Sequence, residues 1–157
     1  MEKKEYKWFC DLDGVLINFN KGYFDLTGID LGRTHRTDPK FFEPITKAGI
    51  RYWNNLEWME DGKELWEYIK KYTPELLSAP TRDYSSIIGK KLWVRRELPG
   101  VHLILRSAKH KKDLATPDSI LIDDREDNIK GWIENGGIGI HHKNTNDTIK
   151  QIKTLNI

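Results

Sequence analysis

Short apolar segments alternate along this chain with segments in which apolar residues recur every three or four positions. The first pattern is typical of buried strands and the second of amphipathic helices. The strand-like segments end at Cys10, Ser78, Leu105, Asp123 and His142. Because strands that alternate with helices form parallel sheets covered on both faces, the pattern predicts an α/β fold, a three-layer sandwich around a central parallel sheet.

One stretch, residues 18–58, interrupts this alternation. It is rich in aromatic residues and carries several basic ones, among them Arg33, Arg36, Lys40 and Arg51. Helical periodicity resumes after it, where Asp61 is predicted to cap a helix with Glu64 three residues on. With 157 residues, the chain is long enough for one sheet and its covering helices but not for two full domains. We therefore predict a single domain over residues 1–157.

Two of the strand-like segments end in carboxylates. Asp11 and Asp13 lie on alternate positions just before Gly14, and Asp123 and Asp124 follow a second apolar run. Since ligands of such sheets bind beyond the carboxyl ends of the strands, we expect the two acidic pairs to converge there. Carboxylate oxygens are the ligands that Mg²⁺ prefers in proteins. The sequence therefore predicts a magnesium and phosphate site.

A phosphate monoester carries about two negative charges near neutral pH, so a carboxylate can approach it only where cations neutralise the repulsion. A lysine at the same edge of the sheet would serve with the metal ion. Lys90 and Lys91 follow the second strand on a helix, whereas Lys109 lies just after the third strand. We favour Lys109, because it shares the edge of the sheet with the acidic residues.

The composition of the chain limits the kinds of partner that it is expected to bind. The chain has 26 Lys and Arg against 24 Asp and Glu, and its net charge of +2 does not favour sequence-independent binding to nucleic acid. Its one cysteine, Cys10, lies within the first apolar strand and excludes a disulfide framework. Apolar runs long enough for a signal core or a bilayer span are missing. We expect a cytoplasmic protein with no membrane partner and no stable nucleic-acid complex.

The two acidic motifs, taken together, resemble those of the haloacid dehalogenase superfamily of aspartate-nucleophile phosphatases. The first motif of that superfamily appears as Asp11-Leu12-Asp13-Gly14-Val15 and the last as Asp123-Asp124. The resemblance implies a Rossmann-like core and an Mg²⁺ ion held by Asp11, Asp13, Asp123 and Asp124. It also implies that Asp11 attacks phosphorus and Asp13 protonates the leaving group. Ser78 matches the second motif, a hydroxyl that donates to a phosphoryl oxygen.

Within the superfamily the chain is similar to the 5'(3')-deoxyribonucleotidases, in pieces over most of its length. The matching pieces are Asp13-Gly14-Val15-Leu16 with Phe19, Ser78-Ala79-Pro80, Lys90 with Trp93-Val94, Lys109 four residues after Leu105, and Leu121-Ile122-Asp123-Asp124-Arg125. The similarity implies a nucleoside monophosphate as substrate. It also implies that residues 18–58 form a small helical cap inserted after strand one, with residues 1–17 and 59–157 as the core.

Several residues are predicted to bind the substrate on this resemblance. Phe41 and Phe42 fall where the deoxyribonucleotidases have an aromatic pair lining the base pocket, and Ala79 replaces a serine of that family. Phe19 and Trp53 lie on or beside the same insert. These aromatic residues could equally fill a small core, and the sequence leaves both interpretations open.

Two other functions remain open at this point. A phosphatase for nucleic-acid ends shares the Asp-x-Asp-Gly motif and would use Arg33, Arg36, Lys40 and Arg51 as strand contacts. A binding module that kept the fold but lost the chemistry is disfavoured, because it gains little from a costly cluster of like charges.

Overall fold

A computed structural model describes residues 3–32 and 40–157 of the chain. The described residues contain one five-stranded sheet, in which every neighbouring pair of strands is parallel and the order is β3-β2-β1-β4-β5. This confirms the predicted α/β class. The strands are β1 (Lys7–Cys10), β2 (Glu75–Ser78), β3 (Leu103–Leu105), β4 (Ser119–Asp123) and β5 (Ile138–His141).

Helices connect and cover the strands. They are α1 (Phe19–Thr27), α2 (Glu43–Ala48), α3 (Ile50–Asn54), α4 (Gly62–Ile69), α5 (Tyr84–Glu97), α6 (Ala108–Lys111), α7 (Glu126–Glu134) and α8 (Thr145–Thr154), with short 3₁₀ turns at Lys70–Tyr72 and Lys112–Leu114. The stretch that interrupts the alternation therefore contains α1, α2 and α3. Of the residues in this stretch that are predicted to contact a nucleic-acid strand, Arg33 and Arg36 lie outside the described residues.

The middle residues of the central strands are apolar and buried because both faces of the sheet are covered. Alternate residues of β1 enter different clusters: Trp8 and Cys10 pack into the larger one, and Phe9 packs with Leu121 and Trp132 into the smaller one. In the register between β1 and β4, Cys10 lies opposite Ile122. The residues that follow these two therefore emerge side by side at the carboxyl edge of the sheet.

The α3 helix packs tightly on α5, and this contact joins the insert to the core. Gly89 on α5 lies so close to α3 that a Cβ atom there would overlap the Cβ of Trp53. Two side chains of α5 also donate to backbone carbonyls of the insert: Trp93 Nε1 to Leu56 O at 2.8 Å and Arg96 Nη2 to Asn54 O at 2.7 Å. The contact is therefore both close-packed and hydrogen-bonded.

Asp61 precedes α4, as predicted, but its side chain does not cap that helix. Its Oδ2 accepts a hydrogen bond from the backbone N–H of Thr145 at 2.8 Å, and its carbonyl accepts one from Thr145 Oγ1 at 2.9 Å. The predicted capping role is wrong, because this carboxylate accepts from the start of α8 instead. Asp61 therefore ties α4 to α8.

His142, just after β5, is buried and should make stability depend on pH. Burial lowers its pKa from the ordinary value of 6.5, although Asp61 and Asp147 oppose the shift. At His142 the unfolded chain therefore binds more protons than the folded chain as the pH falls below about 6.5, and the contribution of His142 to stability should decrease there. Denaturant unfolding of the wild type and His142→Gln between about pH 5 and pH 8 checks this. Equal pH dependence in both proteins would contradict it.

None of the helices within residues 3–32 and 40–157 has the length and apolar character needed to cross a membrane.

Candidate active site

Four aspartates lie at the carboxyl edge of the sheet, two after β1 and two at the end of β4. Oxygen atoms of Asp11, Asp123 and Asp124 lie within 4.8 Å of one another. Asp11 and Asp123 are almost completely buried, with relative exposures of 5% and 0%. The structure thus brings together three of the four carboxylates predicted to bind metal. The side chain of Asp13 lies outside this group and contacts Lys90 instead.

Gly14 is required by the way Asp124 packs. Its φ angle of +84° lies in the left-handed region, which side chains rarely tolerate. A Cβ atom at this position would also overlap Asp124 Oδ2. Glycine therefore lets the carboxylate of Asp124 reach the backbone of the first acidic loop.

Lys111 lies between the two acidic strand ends. Its Nζ donates to Asp11 Oδ1 at 3.0 Å and to Asp123 Oδ2 at 2.9 Å, and its side chain is only 2% exposed. Burial alone would lower the pKa of Lys111, but the charges of Asp11 and Asp123 outweigh it and raise the pKa. Lys111 is therefore a buried permanent cation beside the carboxylates.

Lys109, the lysine favoured from the sequence, is exposed on α6 and contacts none of the four aspartates in the described structure. We correct the expected geometry accordingly: Lys111 holds the place expected of Lys109. The reason is helical periodicity, since residues two positions apart are rotated by about 200° about the helix axis and so point to nearly opposite sides. The sequence places both lysines after β3 but does not show on which residue α6 begins.

A second buried lysine, Lys90 on α5, reaches the same edge. Its Nζ donates to Asp13 Oδ2 and Ser78 Oγ, both at 2.6 Å, and to the carbonyl of Ala79 at 3.1 Å. The sequence places Lys90 on a helix after β2 and Lys109 just after β3, and it favours Lys109 for that reason. A signal was available, because Ser86, Lys90 and Trp93 follow one another at helical spacing and so place the lysine on the buried stripe of α5.

The carboxylates carry more negative charge than the two lysines neutralise. Burial, and then the charge of Asp123, raises the pKa of Asp11 well above its ordinary range. The same two causes raise the pKa of Asp124 to about 6. Asp124 Oδ1 is moreover buried without a hydrogen-bond partner among the described residues. Three converging carboxylates with an unpartnered oxygen fit Mg²⁺, a hard cation that binds oxygen ligands.

We predict that Mg²⁺ raises the unfolding midpoint by about 5–10 °C at neutral pH when present at 100 times its Kd. The pKa of Asp124 in the folded chain exceeds the ordinary value of 3.8, so Asp124 stays protonated to a higher pH in the folded chain than in the unfolded chain. The contribution of Asp124 to the stability of the metal-free protein should therefore fall as the pH rises from about 3.8 to about 6, with Asp124→Asn as the reference that lacks it. The Mg²⁺ effect should shrink below pH 6, because protons compete with the metal.

Thermal melts with and without Mg²⁺ at about pH 5 and pH 7.5 check this prediction. Asp124→Asn is the matched variant, because it keeps the shape of the side chain and removes its charge. An equal Mg²⁺ shift in the wild type and in this variant would contradict the site.

The aromatic residues predicted to bind substrate lie together in the insert. Phe19 and Phe41 stack with Tyr23, and Trp53 packs against Phe19. Phe19, Phe41 and Trp53 are buried in this cluster, whereas Phe42, edge-on to Phe41, is half-buried. The cluster therefore fills the interior of the insert, and among its four predicted substrate contacts Phe42 keeps the most exposure. Ala79 is half-buried beside Lys90.

Comparison with known proteins identifies the fold of the chain. No protein-family model matches the chain, and no curated protein matches it significantly. Solved structures do match. A haloacid dehalogenase superfamily hydrolase from Ehrlichia chaffeensis is 14% identical, with full coverage of both chains and a TM-score of 0.54. The chain has the haloacid dehalogenase fold.

Two further structures share the haloacid dehalogenase fold. A predicted phosphatase from Clostridium acetobutylicum is 14% identical, covers 97% of this chain and 99% of its own, and has a TM-score of 0.55. A haloacid dehalogenase family enzyme from Bacteroides thetaiotaomicron, a magnesium complex, is 16% identical, covers 90% and 94%, and has a TM-score of 0.50. At such identities the likeness establishes the fold alone.

Proposed function

We propose that the chain is a Mg²⁺-dependent phosphoric monoester hydrolase whose nucleophile is Asp11. The observation that carries this proposal is the contact of Lys111 with both Asp11 and Asp123, in a group of carboxylates that also holds Asp124. A cation in this place can neutralise an incoming phosphate where carboxylates alone would repel it. The hydrolase and phosphatase neighbours of the fold support the same class of reaction.

The metal ion would be held by Asp11, Asp123 and Asp124. When bound, it supplies positive charge that offsets the repulsion between carboxylates and phosphate. Asp123 is already oriented for this task, because its Oδ1 accepts from the backbone N–H of Arg125 at 2.9 Å and its Oδ2 from Asn128 Nδ2 at 3.1 Å.

The protein's own residues would carry out two displacements. In the first, the Asp11 carboxylate forms a bond to phosphorus, the ester P–O bond breaks, and Asp13 gives its proton to the departing alkoxide. In the second, Asp13 removes a proton from water, whose oxygen attacks phosphorus and releases phosphate and free Asp11. The Oδ1 atom of Asp13, buried without a partner among the described residues, is the oxygen suited to hold this proton.

Two further groups would hold the phosphoryl oxygens. Lys111 uses two of its three N–H donors on Asp11 and Asp123 in the described structure, which leaves one for the phosphate. Ser78, fully buried at the end of β2, offers its hydroxyl. Both side chains are buried at this edge of the sheet, where their contacts would serve a dianion.

We propose a nucleoside monophosphate as the substrate, with residues 18–58 as the cap. The similarity of the motifs to those of the deoxyribonucleotidases supports this choice. The insert also reaches the site, because the ring of Trp53 lies 5.0 Å from Lys90 Nζ, which in turn contacts Asp13. Among the four aromatic residues of the insert that are predicted to bind substrate, Phe42 is best able to contact a base, since it is not buried in the cluster.

Hydrolysis of matched substrates tests the proposal. We expect a mononucleotide to be hydrolysed with higher kcat/KM than an oligonucleotide bearing the same terminal phosphate, and with mild salt dependence, because only one phosphate is neutralised. Activity should require Mg²⁺ and disappear with a chelator. A preference for the oligonucleotide with a steep salt dependence would establish instead a phosphatase of nucleic-acid ends, for which Lys40 and Arg51 are the described strand contacts.

A further inference from the structure

The two buried lysines of the site differ in their hydrogen bonding. An ammonium group has three N–H donors and no acceptor. Lys90 has three acceptors within 3.1 Å, one each from Asp13, Ser78 and Ala79, so its donors are fully used. Lys111 has two, Asp11 and Asp123, in the described part of the chain. Lys90 therefore has no donor to offer a phosphate unless it gives up a protein partner.

The contact with Lys90 determines how Ser78 can act. A serine hydroxyl has one hydrogen and two lone pairs. Lys90 donates to one lone pair, and the hydroxyl hydrogen finds no acceptor among the described residues. The hydroxyl of Ser78 is thereby held as a donor, free to bind a phosphoryl oxygen.

The same contact determines which oxygen of Asp13 can carry a proton. Lys90 lies 2.6 Å from Oδ2, while Oδ1 is buried with no partner among the described residues. The carboxylate is thus held by one oxygen, and the other is left for proton transfer.

We infer that Lys90 is a positioning residue, which orients the Asp13 carboxylate and the Ser78 hydroxyl for phosphoryl transfer without contacting the phosphate itself. This inference rests on the proposed phosphatase function.

The surroundings of Lys90 suit a fixed position rather than a mobile one. Its side chain is 2% exposed, and its Nζ lies over the ring of Trp53. The adjacent Gly89 allows α3 to approach α5 closely enough for that contact. Lys90 is therefore held from both the insert and the core.

Replacement of Lys90 by methionine tests the inference, because methionine has similar length and no N–H donor. We expect kcat for alkyl phosphates, which need protonation of the leaving group, to fall by about 10²-fold. For aryl phosphates with good leaving groups we expect a loss of about tenfold or less. KM and the affinity for inorganic phosphate with Mg²⁺, measured by calorimetry, should change by less than about tenfold, which is the part that follows from losing the orientation of Ser78. Lys91→Met, an exposed neighbour, is the matched control.

Two comparison variants distinguish a positioning role from direct binding of phosphate and from a simple need for positive charge. Lys111→Met should weaken the affinity for inorganic phosphate strongly, which Lys90→Met should not. Lys90→Arg should fail to restore alkyl phosphate hydrolysis, because a planar guanidinium cannot place three donors where one ammonium nitrogen lies. If Lys90→Met does not fold, as judged by circular dichroism, Lys90→Gln takes its place in every measurement.

The outcomes separate this inference from the proposed function. If Lys90→Met weakens phosphate binding as much as Lys111→Met does, Lys90 is a phosphate ligand and the inference is overturned. Equal losses on alkyl and aryl phosphates, or rescue by arginine, would overturn it as well. In each case the wild type remains a phosphatase. A wild type that hydrolyses no phosphate monoester with Mg²⁺ would overturn the proposed function and this inference together.

Discussion

Asp11→Asn should abolish turnover, lowering kcat by more than about 10⁴-fold, while the protein stays folded. The substitution removes the nucleophilic oxygen and one metal ligand but preserves the shape of the side chain. It also removes a buried negative charge whose pKa is raised by burial and by Asp123. Since that charge is unfavourable in the fold, we expect the metal-free variant to be at least as stable as the wild type near neutral pH.

Hydrolysis of an aryl phosphate with Mg²⁺ and thermal melts without metal measure both parts of this prediction. Asp118→Asn is the matched control, because Asp118 is exposed and pairs with Lys4 at the surface. Mass spectrometry of acid-quenched wild type should show one added phosphoryl group, and the Asp11→Asn variant should lack it. Appreciable activity in the variant would contradict the covalent mechanism.

Lys111→Met should lower kcat/KM by about 10²–10³-fold, the usual cost of losing one preorganised charge beside a transferring phosphoryl group. It should also destabilise the metal-free protein by about 3–5 kcal/mol, because Asp11 and Asp123 lose their buried cation. Mg²⁺ should recover part of that stability but little of the activity.

Lys109→Met is the comparison that decides between the two lysines. Lys109 is exposed, so its variant should keep activity within about twofold of the wild type and unfold at the same temperature. Steady-state kinetics and melts of both variants make the measurement. Greater damage from Lys109→Met would reinstate the assignment made from the sequence.

The parallel sheet and the positions of its strands along the chain could be predicted, because the sequence signals for strands are local. Each strand is a short apolar run bounded by polar residues, and the carboxyl ends of parallel strands necessarily share an edge. The shared edge for the two acidic pairs follows from this rule. The direct approach of Asp11 to Asp123 also requires that β1 and β4 be neighbours in the sheet, which the structure shows.

The two lysines could not be predicted in the same way. Choosing Lys111 over Lys109 requires the first residue of α6, and boundaries of so short a helix are not encoded in periodicity. Lys90 shares a helical stripe with Ser86 and Trp93, but that stripe is identified as the buried one only when the rotation of α5 against the sheet is known. Asp61 shows a related limit, because its local signal indicates a helix cap while a distant donor, Thr145, takes its carboxylate.

The aromatic residues of the insert illustrate a third limit. Sequence position alone does not distinguish a ring that lines a pocket from a ring that fills an interior. Phe19 and Phe41 are surrounded by Tyr23, Tyr52 and one another, so packing within the insert accounts for them. Their contact with a substrate stays a prediction.

The close contact between α3 and α5 has a consequence for protein engineering. Substrate preference is commonly altered by grafting an insert from one relative onto another, which assumes that the insert behaves as a separate module. Here the carbonyls of Asn54 and Leu56 accept from Arg96 and Trp93, and Gly89 is shaped to Trp53. A chimera that exchanges residues 18–58 alone would leave these partners unmatched, so the insert and α5 must be exchanged as one unit.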